Sequence, residues 1–345
     1  MAYILPQNID KIIFEELGGF YQKGTNVDIN INNSEEDNKR YLGTYFPRSF
    51  TEAYTIMLEI YSHYLVKMSV NKKSRIDILD IGTGTGGNIL GMMEFFRSIG
   101  WNSEKITFYT LEGNSNAIEI QRRIFDSYNE KYSTRFTLQS SLIRFATAAS
   151  INSQLENFLS QKNIRFDFIT SFKFLSEFYN MDYIQAKGIY TSVIKTLQDF
   201  LKPQSFLILF DLVSGNMDRK RPRPFTTQIM SDELNEYAKL PSALLKSVLP
   251  VCCGKWGDTC KRKMCYIERQ FNVQHSRNAN DLSKGCYRVM TDIGFANQII
   301  ASQPSGNKYQ MSQNTYQPRA CFRAELYQVV LGVKQEPILN AFKFQ

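Results

Sequence analysis

Apolar residues recur at two different periods along this chain, and the switch between them marks its organisation. From residue 75 onward, short apolar runs alternate with stretches of helical spacing. Strands are predicted at 76–81, 106–111, 135–139, 166–171 and 205–212, and helices at 88–99, 115–129, 148–160 and 181–201. Strands separated by helices form parallel βαβ units. Upstream, residues 24–40 are polar and read as a loop. Ser49 and Glu52 then match a capping box, and Tyr54, Met57, Leu58, Tyr61 and Leu65 continue at helical spacing. This helix precedes the first sheet strand and should lie over the carboxyl end of the sheet. After Asp211 the regularity breaks. Residues 218–224 form a basic, proline-containing loop, helical spacing resumes over 229–248, and 266–273 is strand-like. Residues 301–318 read as a long polar hairpin loop before a final strand at 322–333.

The first strand runs directly into a glycine-rich turn with Asp80, Gly82, Thr83, Gly84 and Gly86, and a helical pattern opens at Asn88. Glycines let a backbone approach a nucleotide-like ligand closely, and the helix start offers free N–H groups. The second strand ends at Glu112, where a carboxylate can accept hydrogen bonds from both ribose hydroxyls. In a dinucleotide fold that acid follows the glycines by about 20 residues. Here Glu112 follows Gly86 by 26, and the glycine spacing is not GxGxxG. Asp-x-Gly-x-Gly-x-Gly with a strand-end Glu resembles the S-adenosylmethionine (SAM) site of class I methyltransferases. The bland alternative is a tight strand-to-helix turn that binds nothing.

The resulting expectation is an α/β, Rossmann-like class I methyltransferase with a mostly parallel seven-stranded sheet, flanking helices and a Cys-rich metal-binding insertion. Residues 1–70 would form an N-terminal helical region and 71–213 the SAM-binding core. Residues 214–345 would hold the basic, Cys-rich insertion and the strands completing the sheet.

Charge sharpens the division. The net charge of +8 is uneven: residues 1–213 hold 22 Lys/Arg and 23 Asp/Glu, and residues 214–345 hold 19 and 10, which is −1 against +9. A basic final third suits a polyanion such as RNA; a solvated basic face is the alternative. No apolar run is long enough to cross a bilayer. The N-terminus carries neither a secretory pattern nor an Arg-rich transit pattern. A cytoplasmic protein is expected, with mitochondria as the alternative.

All six cysteines follow residue 251, and four of them fall within fourteen residues. In a reducing compartment a disulfide framework is not expected. Clustered thiolates suit zinc or an iron–sulfur cluster, and Lys255, Lys261, Arg262 and Lys263 would favour the thiolate form. The spacing is not that of a paired CxxC ribbon, so one ligand must come from Cys286, Cys321 or His275.

The fourth strand and its exit contain no Asn/Asp-Pro-Pro-aromatic sequence and no cysteine. That disfavours the usual amino-group and C5-pyrimidine methylation of nucleic acids. Ser171 ends the strand. Lys173 and Glu177 are the polar side chains nearest the expected chemistry, either catalytic or a surface pair one helical turn apart.

Several pieces together resemble one family. They are Pro47-Arg48-Ser49-Phe50-Thr51-Glu52-Ala53-Tyr54, the turn from Leu79 to Gly86, the exit from Ser171 to Phe178, and Leu249-Pro250-Val251-Cys252-Cys253 followed by Cys260 and Cys265-Tyr266. They look like the methyltransferase-like assembly factors of the small ribosomal subunit, over about residues 40–335. The resemblance implies SAM binding, a four-cysteine [4Fe–4S] cluster (or zinc) and contact with small-subunit ribosomal RNA. It implies Cys253, Cys260, Cys265 and Cys321 as ligands, with Cys252 and Cys286 as alternates. Two readings compete with RNA methylation: a catalytically silent assembly factor, and a methyltransferase for a small molecule or protein.

Overall fold

The computed structural model describes residues 3–22, 34–212, 226–249 and 269–302. Five parallel strands follow the predicted alternation: β2 (Ile76–Ile81), β3 (Ile106–Glu112), β4 (Thr137–Leu142), β5 (Phe166–Phe172) and β6 (Leu201–Leu212). An N-terminal strand, β1 (Tyr3–Ile4), precedes them. Three strands follow, β7 (Leu245–Leu249), β8 (Arg269–His275) and β9 (Asn278–Asp292). Their order across the sheet is β4-β3-β2-β5-β6-β9-β8-β1, with β7 also on β9.

Seven strands were expected, and nine are present among the described residues. The difference has a simple geometry. β6 occupies one edge of β9 from Gly285 to Met290. On the opposite edge β7 pairs with Val289–Asp292 and β8 with Asn278–Gly285, both antiparallel. β7 and β8 therefore share one position in the sheet, as one strand interrupted between Leu249 and Arg269. The interruption coincides with the Cys-rich stretch. β1 adds to the outer edge in parallel with β8.

The side chains alternate as a two-sided sheet requires. Ile76 and Ile78 of β2, with Phe206, Ile208 and Phe210 of β6, enter one core. Leu79 and Ile81, with Leu207 and Leu209, enter the other. Helices cover both faces. They are α1 (Gln7–Lys11), α2 (Glu35–Ser62), α3 (Tyr64–Lys72), α4 (Gly87–Ser98), α5 (Ser115–Tyr132), α6 (Ala148–Lys162), α7 (Leu175–Met181), α8 (Tyr183–Ala186), α9 (Ile189–Leu197), α10 (Thr226–Ala238) and α11 (Ile293–Ala301).

Several boundaries depart from the sequence pattern. The helix expected to start at Ser49 begins at Glu35, because Ser34 and Asp37 form the capping box that Ser49 and Glu52 only imitate. Residues 35–40 are thus helical, not loop. Pro47 sits inside α2, where it has no N–H for the carbonyl one turn back. The helix expected over 181–201 breaks at Asp182 and Gly188 into α8 and α9. Asp182 caps α8 through its side chain, and Gly188 takes a left-handed φ of 87°. Residues 245–249 are strand rather than helix, drawn into the sheet by β9. β9 and α11 had no counterpart in the sequence reading. The loop and final strand placed at 301–318 and 322–333 lie outside the described residues beyond Ser302. No helix among the described residues is long and apolar enough to cross a membrane.

Candidate functional site

The site sits at the carboxyl ends of β2, β3 and β5, roofed by α2. Gly82, Gly84 and Gly86 adopt φ of 70°, 58° and 89°, which side chains with a Cβ rarely accept. The turn is tied to β3: the N–H groups of Gly82 and Thr83 donate to Leu111 O at 2.9 and 3.3 Å. α4 then starts at Gly87, its first turns pointing N–H groups toward the mouth.

Asp80 lies beneath this turn and is fully buried. It accepts from Thr170 Oγ1 at 2.5 Å and from Asn88 Nδ2 at 2.8 Å to each oxygen, which joins β2, β5 and α4. Thr83 Oγ1 donates to Asp80 O at 3.2 Å. Burial pushes the Asp80 carboxyl up to about 6, against the hydrogen bonds from Thr170, Thr83 and Asn88. The arrangement makes Asp80 and Thr83 supports of the turn's shape.

Glu112 faces the turn from β3. Its Oε2 accepts from Gly84 N at 2.7 Å, and Oε1 accepts from Gly113 N and Asn114 N at 2.9 Å each. A carboxylate offers about four acceptor positions. Three are used, which leaves Oε2 able to take one more donor. Burial raises the Glu112 pKa, while the three backbone donors hold it down. Ser171, at the end of β5, is buried with its Oγ unpartnered.

Side chains outside the motif complete the enclosure. A methyl group at Gly82 would collide with the Phe174 ring. One at Gly84 would stand 3.2 Å from the Tyr41 ring. Phe174 in turn packs against Phe145 and Phe178 at centroid distances of 5.3 and 5.2 Å. Asn38, from the first turns of α2, reaches Asn114 Oδ1 at 3.4 Å. Neither Asn38 nor Tyr41 belongs to a sequence pattern that could have flagged it, and Phe174 lies within the strand exit from Ser171 to Phe178 without standing out there. They arrive by tertiary folding.

Lys173 and Glu177 are not a surface pair. Lys173 is buried at a left-handed φ of 60°, and its Nζ meets Glu52 Oε2 at 2.6 Å and Ser49 Oγ at 3.0 Å. Burial lowers the Lys173 pKa, and Glu52 opposes that shift. Glu177 is half-buried at the start of α7. The partner of Lys173 is thus Glu52 on α2, which also accepts from Ser283 Oγ at 2.6 Å. Beside it Arg48 makes a two-pronged bond to Asp281, at 2.9 and 2.6 Å. Further along, Glu59 receives Arg269 and the Tyr287 hydroxyl. Arg48, Glu52 and Glu59 form an ionic seam that fastens α2 to β8, to β9 and to Lys173, the residue after β5. The signal was present in the sequence: two acids, Glu52 and Glu59, interrupt an otherwise apolar helical stripe.

The cysteine ligands proposed from the sequence, Cys253, Cys260, Cys265 and Cys321, lie outside the described residues, as does the alternate Cys252. The other alternate is described. Cys286 is buried in β9 opposite Asp211, its Sγ donating to Asp211 O at 3.6 Å. Burial and the Asp211 carboxylate drive its thiol pKa upward, the reverse of a metal-ready thiolate. His275 is enclosed between Phe14 and Tyr21, with its Nε2 3.5 Å from Asp281. Among the described residues no three Cys, His, Asp or Glu side chains converge as a metal centre would require.

Comparison with known proteins agrees with this geometry. The model of a family described as a methyltransferase domain matches residues 54–255, more than half of the chain. The chain therefore belongs to this methyltransferase-domain family. No protein of curated function matches it. Solved structures resemble it distantly. A SAM-dependent methyltransferase from Clostridium acetobutylicum is 9% identical, with 70% of this chain and 91% of that one covered and a TM-score of 0.35. Magnesium protoporphyrin IX methyltransferase from Synechocystis, solved with bound SAM, is 12% identical over 77% and 99%, with a TM-score of 0.36. The plantazolicin methyltransferase BpumL, in complex with SAH, is 11% identical over 68% and 64%, with a TM-score of 0.32.

Proposed function

We propose that the chain binds SAM at the glycine turn and transfers its methyl group to an acceptor held under α2. The observation that carries this reading is the Gly84–Glu112 pair, in which a positive-φ glycine turn faces a buried carboxylate with one acceptor position left. Gly82, Gly84 and Gly86 would lie along the ligand, Glu112 would take a ribose hydroxyl, and Ser171 would face the ligand from β5. SAM supplies an activated methyl on a sulfonium. The chain's own residues bind and align it, and the roof of Tyr41 and Phe174 excludes water. Methyl transfer depends mainly on proximity and in-line alignment, so the lack of an evident base does not oppose activity. Incubation with methyl-labelled SAM and a total extract of acceptors tests the reading. Label should enter one acceptor class, and Glu112→Ala should abolish the incorporation.

RNA is the proposed acceptor, on the +9 net charge of residues 214–345 and the resemblance to small-subunit assembly factors. The same resemblance supports a [4Fe–4S] cluster or zinc on Cys253, Cys260, Cys265 and Cys321, which metal analysis and a visible spectrum of anaerobically purified protein would test. A small-molecule acceptor is the second reading, and one observation favours it. Arg48 and Lys173 are each neutralised by a buried carboxylate, and the side chains that stand against Gly82 and Gly84 are aromatic, Phe174 and Tyr41.

A further inference from the structure

α2 is built in two parts. Its second half is fastened by the ionic seam of Arg48, Glu52 and Glu59. Pro47 separates that half from residues 35–46, which carry Asn38 and Tyr41 over the turn. Asn38 is fully buried. Its Nδ2 points at Asn114 Oδ1, which already accepts from Asn116 N and Ala117 N at 2.9 and 3.1 Å. That contact fixes the orientation of the carboxamide, because a flipped amide would set two acceptor oxygens against each other. Oδ1 therefore faces the other way, and it has no hydrogen-bond partner. A buried acceptor without a donor is rare and calls for an explanation. Asn114 N donates to Glu112 Oε1, so the Asn38 carboxamide is linked through Asn114 to the carboxylate proposed to hold the sugar.

We propose that Asn38 is a cofactor-binding residue: its Oδ1 accepts a hydrogen bond from the adenosyl part of SAM, from a ribose hydroxyl or the adenine amino group. Tyr41, one helical turn on, closes over Gly84 behind it. The first half of α2 thus contributes to recognition of the nucleoside, beyond the glycine turn and Glu112. The inference rests on SAM binding as proposed above.

S-adenosylhomocysteine and three analogues separate the outcomes by calorimetry: the 2′-deoxy, the 3′-deoxy and the N6-dimethyl forms. The analogue that lacks the group held by Asn38 should lose about tenfold in affinity for the native chain, the scale of one hydrogen bond. Asn38→Leu should bind the parent compound about tenfold more weakly and show no further loss with that same analogue. Asn38→Ala removes the carboxamide without added bulk and should behave alike. Unliganded thermal midpoints verify that both variants are folded. If both variants bind the parent compound as the native chain does, or if each analogue loses equally in native and variant proteins, the Asn38 assignment is overturned while the SAM reading stands. No binding by the folded native chain removes both.

Discussion

At the scale of single residues, the site's carboxylates divide by environment. Glu112 faces three backbone donors and keeps an acceptor position for a ligand. Asp80 and Asp211 are sealed in the core and hold the frame. Asp211 accepts from Ser176 Oγ at 2.6 Å and Tyr190 OH at 2.7 Å, which ties β6 to α7 and α9. Burial raises the carboxyls of both Asp80 and Asp211 to about 6. A carboxyl whose pKa rises on folding stabilises the fold at low pH, and that contribution is lost as pH climbs through the folded value. Between pH 4 and pH 7 these two groups therefore lower stability. Asp211→Asn cannot ionise, and its stability relative to the native chain should improve by ~2 kcal/mol between pH 4.5 and 7.5. Urea titrations at the two pH values measure this. A pH-independent difference would show that Asp211 ionises as freely in the fold as in the unfolded chain.

At the scale of elements, the relation of α2 to α4 determines whether the turn is roofed. Gly87 and Gly91 lie one turn apart on α4, and their lack of side chains lets the backbone of α2 approach at Phe46 and Phe50. A methyl group at Gly91 would collide with the Phe50 carbonyl oxygen. Gly91→Ala should cost about 2 kcal/mol, the usual scale of core overpacking, although alanine is the better helix former. Equilibrium denaturation decides the sign, and a stabilised variant would mean the two helices are not in close contact. The sequence made the βαβ core legible because its apolar runs switch cleanly between periods. α2 was half legible. Its apolar stripe stood out, but its start did not, since Ser49 and Glu52 match a capping box as well as Ser34 and Asp37 do. Only the fold shows that Glu52 is consumed by Lys173. β9 escaped notice because its first half, Asn278 to Lys284, is polar; it is held by a hairpin with the adjacent β8 and by β6, which is distant in sequence. The left-handed φ of Lys173 left no trace in composition.

At the scale of the whole molecule, a nearly neutral first part carries the turn and its roof, and a basic last third follows. β7 and β8 share one position in the sheet, and Arg269, at the start of β8, is paired with Glu59 of α2. If RNA is the acceptor, its affinity should fall steeply with salt. Each neutralised phosphate adds roughly −0.7 to −0.9 to the slope of log K against log salt concentration. Filter binding from 50 to 300 mM salt reads that slope. A flat response would favour the small-molecule acceptor.

The most direct test is a calorimetric titration of the folded chain with S-adenosylhomocysteine, native and Glu112→Ala side by side. The account predicts one site per chain, weakened tenfold or more by the substitution and with the unliganded melting temperature little changed. Silence from the folded native protein, or equal affinity in the two, would contradict it.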